Sequence, residues 1–331
     1  MTQSQHGDDG PILVTGGDSV YFPMIEELHQ SIRAASPESP ALGVIDAGLT
    51  APQVWQLRHD GVTVVQPRPL PHFPVAPLRK RPALAANLGK LWLDRLFPGY
   101  RTLVWLDGDT WVQDYAAIEL LLGAARNGAL AIVPGGGRFW PRPIDVRWLL
   151  GGLWGLAQVR SFNFKNGKHA DLPLRILRDI GPRPLLNAGV FALRADAPHW
   201  EAMRRWQQHI LRRGRPFTSD QIAMALAVHE DALPVELLPD TCNYITAWRV
   251  DPRSASLREY FYPYPRIGIV HLAGQKAMRF DPAATVEVPD LAGGVHQLSL
   301  RYGHFQRMAA ALAAELVHQA DPARVQDTVL S

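Results

Sequence analysis

Apolar positions recur along the chain in two periods, one of strands and one of helices. Residues 11–15 (PILVT) form a short apolar run halted by Gly16-Gly17-Asp18, the pattern of a strand feeding a loop. Residues 24–34 then space Ile25, Leu28 and Ile32 as one face of a helix. Residues 41–45 and 61–65 read as the second and third strands, with a short helix over 53–58 between them. Residues 66–82 hold six prolines and read as a loop or extended connector. A helix is expected over 83–97, with Leu84, Leu88, Leu91 and Leu96 on its apolar face. Residues 102–106 (TLVWL) are apolar on both faces, which places this fourth strand at the centre of a parallel sheet. A helix over 116–126 leads to a strand over 129–133. Beyond it come a helix near 144–156, a strand through Leu193, helices over 198–212 and 220–229, a strand over 266–270, and a packed helix over 298–318. Strands alternating with helices predict an α/β fold built on a mostly parallel sheet.

Composition narrows this picture only a little. The chain has 331 residues, enough for a sizeable core, and 47% of them are hydrophobic. The formal net charge of +3 is too small to point to nucleic acid. The local basic clusters at Arg79-Lys80-Arg81 and Arg212-Arg213-Gly214-Arg215 fit solvated helix ends. Cys242 is the one cysteine, so neither an intrachain disulfide nor a cysteine metal cluster can form. A core position suits it better than catalysis. The opening MTQSQHGDDG has no apolar h-region, and no run reaches the roughly 18 apolar residues of a membrane helix. A cytoplasmic protein is expected, with no transmembrane segment and at most a peripheral membrane contact.

The chemistry gathers where strands end. Ligands of open parallel sheets bind beyond the carboxyl ends of the strands. There the central strand runs into Asp107-Gly108-Asp109. Two carboxylates so close repel unless a cation or a shared proton lies between them. A hard divalent ion resolves the conflict and keeps positions free for phosphate oxygens. The plain alternative is that both aspartates cap the following helix. His271, at the end of another strand, offers a nitrogen ligand, and Gly274 and Lys276 follow in HLAGQK as a plausible grip on phosphate.

The order of these motifs resembles the retaining GT-A glycosyltransferases of glycosyltransferase family 8, which includes glycogenin and the bacterial lipopolysaccharide galactosyl- and glucosyltransferases. The segments that carry the resemblance are Thr15-Gly16-Gly17-Asp18 with Tyr21, Lys90-Leu91-Trp92, Asp107-Gly108-Asp109, LNAGVF over 186–191, Ser219-Asp220-Gln221, and HLAGQK over 271–276. The resemblance implies a GT-A fold and transfer of a hexose from a nucleotide-diphosphate sugar, a UDP-sugar, with retention. It implies Mn²⁺, or Mg²⁺, held by Asp107, Asp109 and His271. It places Gly108, Gly274 and Lys276 at the diphosphate, Thr15, Gly16, Asp18 and Tyr21 at the base and ribose, and Lys90 at the donor. Asn187, Asp220 and Gln221 would line the donor sugar and the reacting carbon. The chain departs from the family pattern at Ala277-Met278, where Lys-Pro-Trp usually continues the last motif. The interval between Asp109 and Asn187 is also longer than usual. It carries Arg138, Trp140, Arg142, Arg147 and Trp148, which either serve the acceptor or simply pack.

The expected organisation is a disordered tail over 1–10, a catalytic domain over 11–285 with a variable acceptor-side region at 134–186, and a C-terminal helical extension over 286–331. The acceptor itself is not encoded in any motif. Other readings stay open. A haloacid dehalogenase-type phosphohydrolase also ends a strand in Asp-x-Asp, but wants it on the first strand with a later acidic pair. A sugar-nucleotide nucleotidyltransferase needs a longer glycine-rich loop than Gly16-Gly17-Asp18. A non-catalytic nucleotide-sugar-binding protein would not need Asp107, Asp109 and His271 together.

Overall fold

A computed structural model describes residues 10–67, 75–135 and 144–319. The N-terminal tail, residues 68–74 of the proline-rich connector, and Arg138, Trp140 and Arg142 lie outside the described residues. Seven strands form the central sheet, in the order Val235–Leu237, Leu130–Gly135, Leu185–Arg194, Thr102–Leu106, Pro11–Gly17, Ala41–Asp46 and Thr63–Val65. Leu185–Arg194 alone runs against its neighbours, pairing antiparallel with both Thr102–Leu106 and Leu130–Gly135. The other adjacent pairs are parallel. The mostly parallel α/β sheet expected from the alternation is present, and Thr102–Leu106 lies at its centre.

Period two in the strands sorts side chains onto two cores. On one face Ile12, Val14, Leu103, Trp105, Phe191 and Leu193 pack with residues of the helices His199–Leu211 and Ser219–His229. On the other, Leu13, Val44, Val104, Leu106 and Val190 meet the helices Phe22–Ala35 and Ala116–Ala125. Cys242 belongs to this second core, where burial pushes its thiol up to about 11. A third cluster, around Trp111, Trp248, Val270, Val288 and Phe305, joins the C-terminal part of the chain to the strand that follows Asp109. No described helix is long and apolar enough to cross a membrane.

Several elements differ from expectation, each for a local reason. The helix expected over 83–97 is broken into Leu84–Gly89, a 3-10 turn Lys90–Trp92 and Leu93–Leu96. Gly89 weakens the helix at that point, and the tighter turn carries Lys90. The proline-rich connector contains one short helix, Val75–Lys80. The helix expected near 144–156 is instead a ribbon of Asp145–Trp148 and Ala157–Arg160 closed by the 3-10 turn Leu150–Gly155. Three glycines within LGGLWG disfavour an α-helix, and a short apolar run does not reveal its own period. The late strand is Ile269–His271, and it pairs with Thr110–Val112 outside the main sheet. Residues 295–298 belong to a hairpin with Val286–Pro289, and the last helix is Tyr302–Gln319.

One buried ion pair fastens the C-terminal part. Arg301, 2% exposed, donates from Nε and Nη2 to the Glu27 carboxylate at 2.7 and 2.9 Å, and from Nη1 to the Met278 carbonyl at 3.0 Å. Removing one partner of such a pair strands a desolvated charge. Glu27→Ala is therefore expected to cost about 3–5 kcal/mol in urea denaturation, and Glu27→Ala/Arg301→Met to recover most of it. A cost under about 1 kcal/mol, the range of an exposed pair, would contradict this.

Candidate active site

The Asp107–Thr110 turn changes the direction of the chain. The Asp107 carbonyl accepts from the Thr110 amide at 3.0 Å and from its hydroxyl at 2.7 Å. The chain then leaves the central sheet as Thr110–Val112, which pairs antiparallel with Ile269–His271 and sets Thr110 opposite His271. The Leu272 amide donates to the Asp109 carbonyl at 2.9 Å and completes the junction. Gly108 sits inside this turn. Its φ is not in the left-handed region, and its role is close packing: a Cβ there would lie 3.1 Å from the Gly16 carbonyl oxygen. Gly189 of LNAGVF is similarly constrained, since a Cβ would meet His271 Cε1 at 2.5 Å.

Three carboxylates converge here, and each has a cationic or polarisable neighbour. Lys90, 1% exposed, donates to Asp107 Oδ1 at 3.0 Å, lies 3.0 Å from Asp220 Oδ2, and donates to the Ala188 carbonyl at 3.2 Å. Its three N–H bonds are thus all used. The ammonium also lies 5.1 Å from the centre of the Trp105 ring, whose indole N–H donates to Asp107 Oδ1 at 2.7 Å. Burial opposes the Lys90 charge, but Asp107 and Asp220 outweigh it and hold its pKa above the ordinary lysine value. Burial pushes the Asp220 carboxyl up despite Lys90, and the charge of Asp107 adds to the push. Asp220 Oδ1 is buried with no hydrogen-bond partner among the described residues.

His271 Nε2 lies 3.3 Å from Asp109 Oδ1 and 3.8 Å from Asp107 Oδ2. Its Nδ1 is 2.8 Å from the Asn243 amide oxygen. An amide oxygen only accepts, so Nδ1 carries a proton. Burial opposes a second one, but Asp109 and Asp107 outweigh it and raise the imidazole's pKa, so a cation at Nε2 would displace the proton that faces Asp109. Arg279 Nη2 lies 2.6 Å from Asp109 Oδ2. Burial would raise the Asp109 carboxyl, but His271 and then Arg279 hold it at about 2. One ligand atom from each of Asp107, Asp109 and His271 lies within 4.8 Å of the other two. Two carboxylates and an imidazole with its far nitrogen occupied suit a hard divalent ion.

The other residues singled out from the sequence are distributed around this cluster. Asn187 is buried, and its amide oxygen accepts from the Gly189 amide at 3.0 Å. Gln221 follows Asp220 in the first turn of Ser219–His229 and is half-buried. Thr15 is buried with its hydroxyl unpartnered among the described residues. Gly16 is a packing glycine, because a Cβ would lie 2.9 Å from those of Ala86 and Ile45. Asp18 accepts from the Val20 and Tyr21 amides at 3.1 and 3.3 Å, and the Tyr21 hydroxyl accepts from Arg279 at 3.3 Å. Gly274 has φ +87°, so glycine is required there. Lys276 is exposed at the start of Lys276–Phe280, and no hydrogen bond or ion pair joins it to the cluster among the described residues. Asn243, Arg279 and the indole of Trp105 escaped sequence reasoning. Arg279 alone left a trace, three residues beyond Lys276 on the same helical face.

No protein-family model matches the chain, and no curated protein matches it. Among solved structures, the chain is similar to the apo form of WbbM, a bifunctional glycosyltransferase, at 15% identity over 83% of this chain, with TM-score 0.49. It spans 47% of that chain, about half its length. It is also similar to the galactosyltransferase LgtC in complex with donor and acceptor sugar analogues, at 13% identity over 92% of this chain and 95% of that one, with TM-score 0.48. An active-site mutant of LgtC gives 14% identity, 80% and 87% coverage, and TM-score 0.45. These neighbours are glycosyltransferases, the class that the order of motifs resembles.

The Arg279 guanidinium and a bound cation would compete for Asp109. Arg279→Ala is expected to tighten Mn²⁺ binding about tenfold, the equivalent of about 1.4 kcal/mol, measured from the free-ion electron paramagnetic resonance signal. Unchanged or weaker binding would contradict that competition.

Proposed function

We propose that the chain is a metal-dependent glycosyltransferase that moves a hexose from a UDP-sugar to an acceptor with retention, acting in the cytoplasm. One observation carries this reading most strongly. A single buried ammonium, Lys90, joins a carboxylate of the cation cluster, Asp107, to a second carboxylate, Asp220, that keeps one oxygen unbonded. A cation site for a diphosphate thus adjoins a carboxylate ready to accept from sugar hydroxyls. Retention and the uridine base rest on the motif resemblance.

In this reading Asp107, Asp109 and His271 hold Mn²⁺, or Mg²⁺. When bound, the ion supplies charge neutralisation for the diphosphate leaving group. Lys90 sits between Asp107 and Asp220, where its charge offsets their mutual repulsion. Asn243 fixes the imidazole tautomer that presents Nε2. Asp220 accepts from hydroxyls of the donor sugar, and Gln221 and Asn187 border its anomeric carbon. Gly274 lets the backbone approach the diphosphate, and Lys276, unencumbered at the surface, brings a point charge to it. Thr15, Asp18 and Tyr21 line the nucleoside end, where the free Thr15 hydroxyl awaits a partner. Arg279, once displaced from Asp109, is a second cation within reach of the phosphates.

Binding to the native state raises the melting temperature by mass action, so a thermal-shift screen of nucleotide sugars with and without Mn²⁺ identifies the donor. Asp109→Ala is expected to lower turnover of that donor by at least about a hundredfold while leaving the circular dichroism spectrum unchanged. Full turnover in this variant, or in excess chelator, would overturn the metal role.

A further inference from the structure

The Asp145–Trp148 and Ala157–Arg160 strands form a two-stranded ribbon that joins no larger sheet. From 148 to 157 the sequence is WLLGGLWGLA, ten residues without a polar or charged side chain. Its large side chains are not in the core: Trp154 is 85% exposed, Leu150 74%, Trp148 63% and Leu153 59%. Leu149 and Leu156 are exposed as well. Leu150 and Trp154 also hold φ of +50° and +62°, a conformation that glycine adopts without strain. Large apolar groups thus occupy strained positions at the tip of a protruding ribbon, where they gain no burial. A contiguous exposed apolar patch of this kind marks a surface for something else.

The distribution of the side chains identifies what that is. Apolar character is sorted between the two faces of the ribbon as well as toward its tip: the pairs Val146–Val159 and Trp148–Ala157 share one face, and Asp145–Arg160 and Arg147–Gln158 share the other. Trp148 pairs with Ala157 next to the tip, and the polar face behind it carries Arg147 and Arg160. All four residues of the first strand are exposed, so neither of its faces is packed on the rest of the described protein. An apolar face that runs out into an apolar tip, with basic residues behind it, suits the interface of an anionic bilayer. The Leu149 amide continues the ladder to the Leu156 carbonyl at 2.9 Å, and the Leu156 amide donates to the Leu153 carbonyl at 3.4 Å, so two of the tip's amides are paired within it. Tryptophan favours the boundary between water and hydrocarbon. Behind the tip, Arg147 and Arg160 are exposed, as are Lys165 and Lys168 on the adjoining Phe162–His169 helix. Asp145, ion-paired to Arg147, is the sole acidic residue from 145 to 169. Positive charge therefore lies at the level of lipid headgroups when the tip lies below them.

We propose that this ribbon docks the protein on an anionic lipid bilayer by inserting its Trp148–Ala157 tip into the interface. Ten apolar residues are about half of the 20 that a spanning helix needs, so the tip dips in and does not cross. The ribbon is also tied to the candidate site. Val133, near the end of the strand that precedes it, pairs with Asn187. The helix that follows it packs beside the one carrying Asp220, with the Thr218 hydroxyl donating to Asn166 Oδ1 at 3.4 Å. Docking would bring the part of the fold that carries Asn187 and Asp220 close to the membrane. Resting on the transfer reading above, this points to an acceptor carried on a lipid, whereas the docking itself does not depend on that reading.

Co-sedimentation with phosphatidylcholine vesicles, with and without phosphatidylglycerol, tests the proposal on the full chain. The wild type is expected to bind the vesicles containing phosphatidylglycerol and to bind pure phosphatidylcholine more weakly. Leu150→Ser/Leu153→Ser/Trp154→Ser is expected to lose at least about tenfold in vesicle affinity. Its melting temperature should be unchanged, because the three side chains are exposed. Arg160→Glu is expected to weaken binding to the anionic vesicles selectively. Wild-type protein that stays in the supernatant, or a triple variant that binds as well as wild type, would overturn the proposal. A dimer that the triple variant disperses, with no vesicle binding, would assign the tip to a second copy of the chain and overturn it equally.

Discussion

One buried ammonium holds two carboxylates in place, and the candidate site is arranged around that constraint. Asp107 and Asp220 come from different parts of the fold, a central strand end and a helix first turn. The Lys90 charge between them offsets their mutual repulsion. The broken helix carries Lys90 inward. The Trp105 indole and the Ala188 carbonyl use its surroundings and its last proton. Asp109 is balanced separately by His271 and Arg279, so the three carboxylates do not share one counter-charge. Lys90 is enclosed, while Arg279 is partly open to solvent. One counter-charge is enclosed and the other partly open, the division that the proposed cation site would require.

The fold delivers these groups through two close approaches. Gly189 leaves room for the His271 ring beside the strand that returns through the sheet. Gly108 lets the Asp107–Thr110 turn lie against the Gly16 carbonyl. Because Thr110–Val112 leaves the central sheet to pair with Ile269–His271, a residue far along the chain becomes the neighbour of Asp109. The C-terminal core around Trp111 supports that junction from behind, where the Trp111 indole donates to the Leu300 carbonyl at 2.8 Å.

Much of this was legible in the sequence, and the parts that were not share a physical cause. Strand positions with strong apolar runs, such as 102–106, were placed because burial on two faces leaves a continuous signal. The Asp107, Asp109 and His271 cluster was legible because chemistry at strand ends concentrates unusual residues. The 3-10 break at Lys90 was not, since apolar spacing over 83–97 continues through it. The ribbon over 145–160 read as a helix because an apolar run flanked by arginines carries no period of its own. Asn243 was invisible, and Arg279 left only its spacing from Lys276, for a further reason. Each acts through a tertiary contact, to His271 and Asp109, that no local pattern encodes.

Anomalous diffraction from a crystal soaked with Mn²⁺ and UDP would test the central claim most directly. The account predicts a manganese peak bounded by Asp107, Asp109 and His271, the UDP diphosphate against it, and Arg279 released from Asp109. A peak elsewhere, or no peak with the Arg279–Asp109 pair intact and UDP bound away from the cluster, would contradict it.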